Sequence, residues 1–195
     1  MGQVSLLIPN YNKGNFLRET LDSVLAQTYP NWECVVVDDH STDNSWEILE
    51  EYASKDTRFK IFKRPENRLP GGNAARNYAF EQSKGDYINW FDSDDVLHPD
   101  MLSEKILLFK ANPDLDFVIG DIRQFEVKTQ NAVKVKGLDL SQKEINYPVN
   151  YLRGNFWIQT SLPIFKQEFL CSLNRLFDET IKRNQEAELF IYILR

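Results

Sequence analysis

Residues 4–43, VSLLIPNYNKGNFLRETLDSVLAQTYPNWECVVVDDHSTD, are the stretch that decides the fold. Two short apolar runs lie within it: Val4–Ile8, which ends at Pro9, and Trp32–Val37. Continuous apolar runs of this length are typical of strands that are buried on both faces of a sheet. Between the runs, apolar residues recur at helical spacing, namely Leu17, Leu21, Val24 and Leu25. The stretch therefore predicts a strand, a helix and a second buried strand.

The alternation of strand and helix signals continues to about residue 122. The further predicted elements are a helix capped by Asp43, strand Phe59–Phe62, helix Asn73–Gln82, strand Tyr87–Phe91, helix Asp100–Lys110 and strand Asp116–Ile122. This order predicts an α/β fold with a mostly parallel sheet and helices on both faces. Because open α/β sheets bind ligands beyond the carboxyl ends of their strands, the residues that follow each strand are candidates for chemistry.

The pattern changes after residue 122, so we divide the chain into residues 1–122 and a less regular part of the same domain, residues 123–195. In the second part, Phe125–Lys136 is strand-like and polar, Phe156–Phe165 is apolar, and Asn184–Arg195 has the apolar face of a helix. No helix stop signal follows the last segment, so a chain that is truncated at its C-terminus is one interpretation.

Composition excludes several classes of protein. The chain has 195 residues, enough for one domain, and its 42% apolar and 13% aromatic residues are too many for a disordered chain. The net charge of −6, without a cluster of Lys and Arg, argues against a nucleic-acid partner. Two cysteines, Cys34 and Cys171, cannot form a disulfide framework and fit a reducing compartment.

Hydropathy gives an expectation for location. The longest apolar run is Leu189–Leu194, far shorter than the roughly 18–20 residues of a membrane span. The N-terminus has no signal-peptide pattern. We therefore expect a cytoplasmic protein, in which Leu189–Leu194 packs on the core or on a partner, or contacts the inner face of a membrane peripherally.

Polar segments follow three of the predicted strands. They are Pro9-Asn10-Tyr11-Asn12, Asp38-Asp39-His40-Ser41 and Asp92-Ser93-Asp94-Asp95. We expect the two acidic segments to end neighbouring strands and to face each other across the ligand crevice, where their carboxylates repel unless a cation lies between them. Carboxylates at a spacing of two suit Mg²⁺ or Mn²⁺, which bind substrate phosphates, and suit zinc poorly. The pattern favours a divalent metal that holds a diphosphate; the alternative is that these residues only form turns and caps.

Several segments, in the right order, resemble family 2 glycosyltransferases with the GT-A fold. They are the stretch from Val4 to Ser45, GGNAARNYA at 71–79, GDYINWFDSDDVLHPDML at 85–102, Trp157–Phe165 and Phe177–Arg195. The resemblance implies a GT-A sheet and transfer of a sugar, with inversion, from a nucleoside diphosphate sugar. It also implies that residues 1–122 bind the nucleotide sugar and that residues 123–195, whose first part matches weakly, lie on the acceptor side.

The resemblance implies roles for residues that follow the first two strands. Pro9, Tyr11 and Asn12 would line the nucleotide pocket, with Tyr11 near the base. Asp39 would accept a hydrogen bond from the uracil ring, which makes a uridine-linked donor the expected one.

The DSDD segment matches the DxD pair of the family. The resemblance implies that Asp94 ligates the metal and that Asp92 contacts the ribose or a metal-bound water. Asp95 would support the loop or lie near the donor sugar. Arg76, in the match to the family's ARN motif, would bind the donor phosphates or pair with the acidic segments; both interpretations stay open.

A late helix of the family carries a carboxylate that deprotonates the acceptor hydroxyl. Gln185-Glu186 occupies that place here, so Glu186 is the candidate base, with Glu188 as the nearby competitor. The alternative is that Glu186 only stabilises the helix N-terminus. Trp157 is a candidate for the acceptor pocket or for the core, whereas His40 and His98 are interpreted as loop residues.

The sequence thus predicts an Mn²⁺- or Mg²⁺-dependent glycosyltransferase that acts on a glycan or lipid-linked sugar acceptor, in surface polysaccharide or glycan synthesis. One alternative is a haloacid-dehalogenase-like phosphatase with Asp92 as nucleophile, although that motif normally ends the first strand and not the fourth. The other is a non-catalytic metal- or nucleotide-binding module, because the segment from Asp39 to Glu50 imitates a calcium loop with Asn44 in place of the required glycine.

Overall fold

A computed structural model describes residues 2–120, 123–125, 132–134, 147, 149, 153, 158–182 and 185–194. Its strands are β1 (Val4–Asn10), β2 (Trp32–Asp38), β3 (Phe59–Lys63), β4 (Tyr87–Trp90), β5 (Phe117–Ile119), β6 (Arg123–Phe125), β7 (Ala132–Lys134) and β8 (Pro163–Lys166). Its helices are α1 (Gly14–Leu25), α2 (Ser45–Lys55), α3 (Gly72–Gln82), α4 (Met101–Ala111), α5 (Gln167–Ser172) and α6 (Gln185–Ile193). Trp157 lies outside the described residues.

The sheet has six strands in the order β3-β2-β1-β4-β8-β5, and β6 and β7 form a separate antiparallel pair. β1 pairs in parallel with β2 on one side and with β4 on the other, and β3 continues the parallel pairing beyond β2. Val4 lies opposite both Trp32 and Tyr87, so β1 is the central strand. The prediction of an α/β fold with a mostly parallel sheet is confirmed.

One strand departs from the predicted order. β8 lies between β4 and β5 and is antiparallel to both. A simple alternation of strands and helices predicts that β5 pairs directly with β4, and it does not. Pro163 begins β8, and the first position of a strand tolerates proline because it needs no N–H there. The side-chain amide of Asn89 donates to the Pro163 carbonyl at 2.8 Å, which fixes this end of β8 against β4.

The core has two layers, one on each face of the sheet. Side chains of a strand alternate between the faces, so Leu6 and Ile8 of β1 lie in one layer and Leu7 lies in the other. The first layer packs under α1, α2 and α4, and the second packs under α3, α5 and α6. The thiol of Cys34 is buried in the first layer, and burial raises its pKa.

The predicted helix over Asp100–Lys110 is observed as α4, with Leu102, Ile106 and Phe109 buried as expected. Lys105, on the edge of that stripe, is unexpectedly also buried, with 6% of its surface exposed. Its ammonium donates a hydrogen bond to the Leu162 carbonyl, and burial lowers the pKa of Lys105 to about 8. Among the residues that the structure describes, no carboxylate forms an ion pair with this ammonium, and a buried charge that is not compensated destabilises the fold at neutral pH.

The Lys105→Met variant tests this penalty. Between about pH 8 and the ordinary value of 10.5, the native wild type binds fewer protons at Lys105 than the unfolded chain does, so its stability rises with pH. The variant has no such rise, because it has no Lys105 to titrate. The free energy of unfolding, measured in urea, is therefore higher for the variant than for the wild type, and the difference is greatest at neutral pH. We expect this advantage to fall by about 1–3 kcal/mol from pH 7 to pH 10. Lys110→Met, an exposed change on the same helix, is the control; a difference that does not change with pH would contradict the prediction.

Candidate active site

The predicted site residues collect at the edge of the sheet where β1, β2 and β4 end. The Asp39 N–H donates to the Asn10 carbonyl at 2.8 Å, and the Phe91 N–H donates to the Leu7 carbonyl at 2.9 Å, so both acidic segments begin beside β1. The expectation that the two acidic segments end neighbouring strands is wrong. Because β1 lies between β2 and β4, Asp39 and Asp92 start on opposite sides of β1.

Pro9 is buried at the end of β1, and the strand geometry explains why proline is tolerated there. The backbone of Leu7 forms hydrogen bonds with β4. The backbone of Pro9, two residues later, faces the same side of β1, but β4 has already ended there. Its missing N–H therefore removes no bond of the sheet. Tyr11 follows with 56% of its surface exposed, so its ring is open to a ligand at this edge.

Asn12 joins the turn after β1 to the turn after β2. Its φ of 51° is left-handed, a conformation that asparagine tolerates better than most residues. Its side-chain oxygen accepts hydrogen bonds from the N–H groups of Thr42 at 2.7 Å and Asp43 at 3.3 Å, and its own N–H donates to the Ser41 hydroxyl at 2.9 Å. Asn12 thus fixes the shape of this edge, and its place in the nucleotide pocket stays a prediction.

The Asp39 carboxylate holds a loop that follows β3. One oxygen accepts a hydrogen bond from the Arg64 guanidinium, and the other accepts the Gly71 N–H at 2.7 Å. Gly71 has a φ of 134°, which a residue with a side chain rarely adopts, so glycine is required there. His40, the predicted loop residue, bonds through Nε2 to the Arg64 carbonyl at 2.9 Å. Each carboxylate oxygen can accept a further hydrogen bond, but the Asp39 side chain is only 10% exposed, so its contact with a base stays a prediction.

Arg76 pairs with Asp92, as one of its two interpretations predicted. The guanidinium donates to Asp92 at 2.8 Å; the Arg76 side chain is 10% exposed, while that of Asp92 is 36% exposed. The Arg76 guanidinium also lies 5.5 Å from the centre of the Phe177 ring, which in turn packs edge-on against Trp90. The other interpretation, binding of the donor phosphates by Arg76, stays a prediction.

Asp94 pairs with Lys13, which lies just before α1. Their side chains are both 39% exposed, and the ammonium nitrogen is 2.6 Å from the carboxylate. Asp95 is more enclosed, and its pKa is raised, first by burial and then by the neighbouring charge of Asp92. The DSDD turn is thus partly neutralised from both sides and still carries an excess of negative charge.

The donor set at this turn fits a hard divalent cation. Asp92 and Asp94 offer carboxylate oxygens that are more than a third exposed, which leaves positions for water and phosphate oxygens on the ion. Within the described ranges, no group of three or more His, Cys, Asp or Glu residues is placed to hold a metal. Mg²⁺ and Mn²⁺ need no such cage, because they keep several waters and use one or two carboxylates with substrate phosphates.

Glu186 lies in the first turn of α6 and is half-buried. Two later residues of α6, Leu189 and Phe190, are buried in the second core layer, so the helix is held against the sheet. The competitor Glu188 is in an ion pair with Arg175. The helix dipole stabilises a carboxylate in the first turn whether or not that carboxylate is catalytic. The catalytic role of Glu186 therefore stays a prediction.

The segment before α6 is attached to α3. The Asn77 amide donates to the Phe177 carbonyl at 2.8 Å and accepts the Phe177 N–H at 3.2 Å, and Asn73 donates to the Asp178 carbonyl at 2.7 Å. α3 also carries Arg76. One helix therefore joins the DSDD turn to the part of the chain that leads to Glu186.

Sequence reasoning missed Lys13, Arg64 and Asn77. Ligands bind beyond the carboxyl ends of the strands, and this rule was applied to the first, second and fourth strands only. Applied to the third strand, it finds Arg64, which directly follows β3. Lys13 stands next to the NYN segment, but nothing in its spacing indicates a partner 81 residues away. Asn77 lies in the segment that matches the family's ARN motif. Its partner could not be predicted, because no sequence pattern indicates what an asparagine in a helix will bind.

Neither alternative interpretation fits this arrangement. In the segment that imitates a calcium loop, Asp39 binds Arg64 and Gly71, and Glu50 accepts the Trp46 indole N–H at 2.8 Å, so these carboxylates do not converge. The phosphatase motif would follow the first strand, whereas DSDDV follows β4.

Comparisons with known proteins agree with the geometry. A family model described as "Glycosyl transferase family 2" matches residues 5–179. An uncharacterized glycosyltransferase of Haemophilus influenzae is 38% identical over 163 residues, which are 83% of this chain and 62% of that protein. The putative teichuronic acid biosynthesis glycosyltransferase TuaG of Bacillus subtilis is 39% identical over 103 residues, which are 53% of this chain and 40% of TuaG. The chain thus spans less than two thirds of these relatives.

Solved structures share the fold. TarS residues 1–349 of S. aureus, in complex with UDP, superposes with a TM-score of 0.73 at 23% identity, covering 98% of this chain and 54% of that one. The mannosyltransferase PcManGT of Pyrobaculum calidifontis, in complex with GDP-Man and Mn²⁺, has a TM-score of 0.66 at 21% identity and covers 97% and 52% of the two chains. The α/β sheet with helices on both faces is the GT-A fold of these glycosyltransferase structures. The chain belongs to glycosyltransferase family 2.

Proposed function

We propose that this chain catalyses inverting transfer of a sugar from a uridine diphosphate sugar to an acceptor hydroxyl, with Mn²⁺ or Mg²⁺ as cofactor. The observation that carries the proposal is the DSDD turn after β4. Its Asp92 and Asp94 are accessible, and Arg76 and Lys13 bring positive charge to the same place. This is the set of groups that a metal-bound diphosphate requires.

Several relatives support the choice of donor and setting. The TarS neighbour was solved with UDP and with UDP-GlcNAc, which supports a uridine-linked donor. The PcManGT neighbour was solved with GDP-Man and Mn²⁺, which supports the metal but not the uridine. The name of TuaG, a putative teichuronic acid biosynthesis glycosyltransferase, supports a role in cell-surface polysaccharide synthesis. A glycan or lipid-linked sugar as acceptor is a further part of the proposal. Among the residues that the structure describes, no helix has the length and apolar character to cross a membrane. A cytoplasmic location, with peripheral contact at the inner membrane face, is part of the proposal.

In the proposed mechanism, Asp94 and Asp92 would hold the metal, which would supply positive charge to the leaving diphosphate. Arg76 adds a second positive charge at the same diphosphate. Glu186 takes the proton of the acceptor hydroxyl as its oxygen attacks the anomeric carbon. The bond from that carbon to the diphosphate oxygen breaks on the opposite face, so one displacement inverts the anomeric configuration.

The Asp94→Asn variant tests the role of the metal. In the wild type we expect Mn²⁺ to tighten UDP binding by about tenfold or more, because the ion joins the carboxylate to the diphosphate. The variant loses this gain while keeping its fold, as measured by calorimetry and thermal unfolding. Asp114→Asn, the same change at an exposed site, is the control. UDP binding that is equally tight with EDTA would remove the metal from the mechanism.

Asp39 is expected to select the base. Uracil has an N3–H that a carboxylate accepts, whereas cytosine presents a lone pair there, so UDP should bind at least about tenfold more tightly than CDP. Asp39→Asn reduces this preference. Arg64→Gln is the matched control, because it breaks the same ion pair but leaves the carboxylate, and so should keep the preference. Equal affinities of the wild type for UDP and CDP would make Asp39 a structural residue only.

The Glu186→Gln variant separates binding from chemistry. UDP affinity should be unchanged, because Glu186 acts on the acceptor, while turnover falls by a factor on the order of 10² to 10⁴. Turnover is measured as sugar transfer from the UDP-sugar and acceptor that a screen identifies. Glu188→Gln on the same helix serves for comparison. Near-normal transfer by Glu186→Gln together with a deficient Glu188→Gln would move the role of base to Glu188.

A further inference from the structure

Each carboxylate that we assign to the donor or the metal is in an ion pair with one basic side chain. The pairs are Asp39 with Arg64, Asp92 with Arg76, and Asp94 with Lys13. Every basic partner comes from a different segment of the chain: the loop after β3, α3, and the residue before α1. Each of these three carboxylates therefore has a positive charge beside it before any ligand binds.

The three pairs are not equally fixed. Arg64 and Arg76 are buried. The Arg64 guanidinium also donates to the Pro65 and Arg68 carbonyls, and the Arg76 guanidinium lies over the Phe177 ring, so both planar groups are held in place. Lys13 and Asp94 are both 39% exposed, and an ammonium on a flexible stem is a point charge without a fixed orientation. The pair between Lys13 and Asp94 is thus the one that water and ions reach most easily.

The backbone of Lys13 is held independently of its side chain. Its N–H donates to the Ser45 hydroxyl at 3.2 Å, and its carbonyl accepts the N–H groups of Phe16 and Leu17 at 2.8 and 2.9 Å. The side chain alone crosses to the loop after β4. It can leave Asp94 by rotation about its own bonds, without any change in α1 or in the sheet.

We propose that the Lys13 ammonium occupies Asp94 when no donor is present, and that a divalent cation must displace it to bind there. The inference rests on the proposed function, since it takes Asp94 as the metal ligand. An ammonium and a divalent cation repel each other at one carboxylate, so Lys13 weakens metal binding to the free enzyme. The displaced ammonium stays tethered to the start of α1, beside the same turn, where it attracts an anionic diphosphate.

Two effects of opposite sign follow for the Lys13→Met variant. Without a competing ammonium, Mn²⁺ alone binds more tightly, by about fivefold, which is the upper range for an exposed ion pair. With saturating Mn²⁺, UDP binds more weakly than to the wild type, because the positive charge near the diphosphate is lost. A merely structural role of Lys13 would weaken both binding events together.

The experiment titrates the full chain with Mn²⁺ alone, following free Mn²⁺ by electron paramagnetic resonance, and then titrates UDP at saturating Mn²⁺. Arg18→Met is the matched control, because Arg18 forms an exposed ion pair with Glu51 at 2.6 Å and belongs to α1, the helix that follows Lys13. Both affinities of this control should equal those of the wild type. Raised salt should narrow the difference between Lys13→Met and the wild type, because exposed pairs are screened.

The Lys13 proposal is overturned if Lys13→Met binds Mn²⁺ no more tightly than the wild type, including the case in which neither binds it. Asp94→Asn separates this failure from a failure of the proposed function. If Asp94→Asn loses the effect of Mn²⁺ on UDP binding while Lys13→Met matches the wild type, the metal site stands and the role of Lys13 falls. If Asp94→Asn keeps the full effect of Mn²⁺, the metal assignment itself is wrong.

Discussion

The pairing of β1 with a strand on each side is the constraint on which the rest of the structure depends. β1 is buried over its whole length, and its backbone bonds to β2 and β4 set where those strands end. The turns after all three strands therefore meet at one edge. Burial of apolar side chains on both faces makes this register hard to shift, since a slip of one residue would exchange the two core layers. The chemistry at the edge takes its precision from the packing beneath it.

The elements of the first part could be predicted because their signals are local. The apolar runs of β1 and β2 and the helical spacing of α1 and α4 come from burial alone, and each lies within a residue or two of its observed place. The position of β8 could not be predicted, because its partner β4 is more than seventy residues away and no local pattern specifies that pairing. The same limit applies to Lys105, whose burial depends on the Leu162 carbonyl.

The candidate site also has a part that the sequence predicts, the carboxylates, and a part that it does not predict, their basic partners. Asp39, Asp92 and Asp94 could be located because acidic residues that directly follow buried strands have a simple geometric meaning. Their partners Arg64, Arg76 and Lys13 come from separate segments, and only the tertiary fold brings them together. Spacing in a sequence can indicate where negative charge collects. It does not indicate which cations compensate that charge, and this compensation decides how accessible each carboxylate is.

The insertion of β8 has a consequence for how modular the chain is. A fragment that stopped at residue 122 would contain β4 and β5 but not the strand that joins them. The outer edge of β4 would then expose unpaired N–H and C=O groups next to Ile88 and Trp90, which are buried in the intact chain. Exposed edges of this kind pair with other chains and aggregate. The two parts that differ so clearly in sequence are therefore not separable units, because the part that carries the aspartate pair needs β8 of the other part to cover the edge of β4.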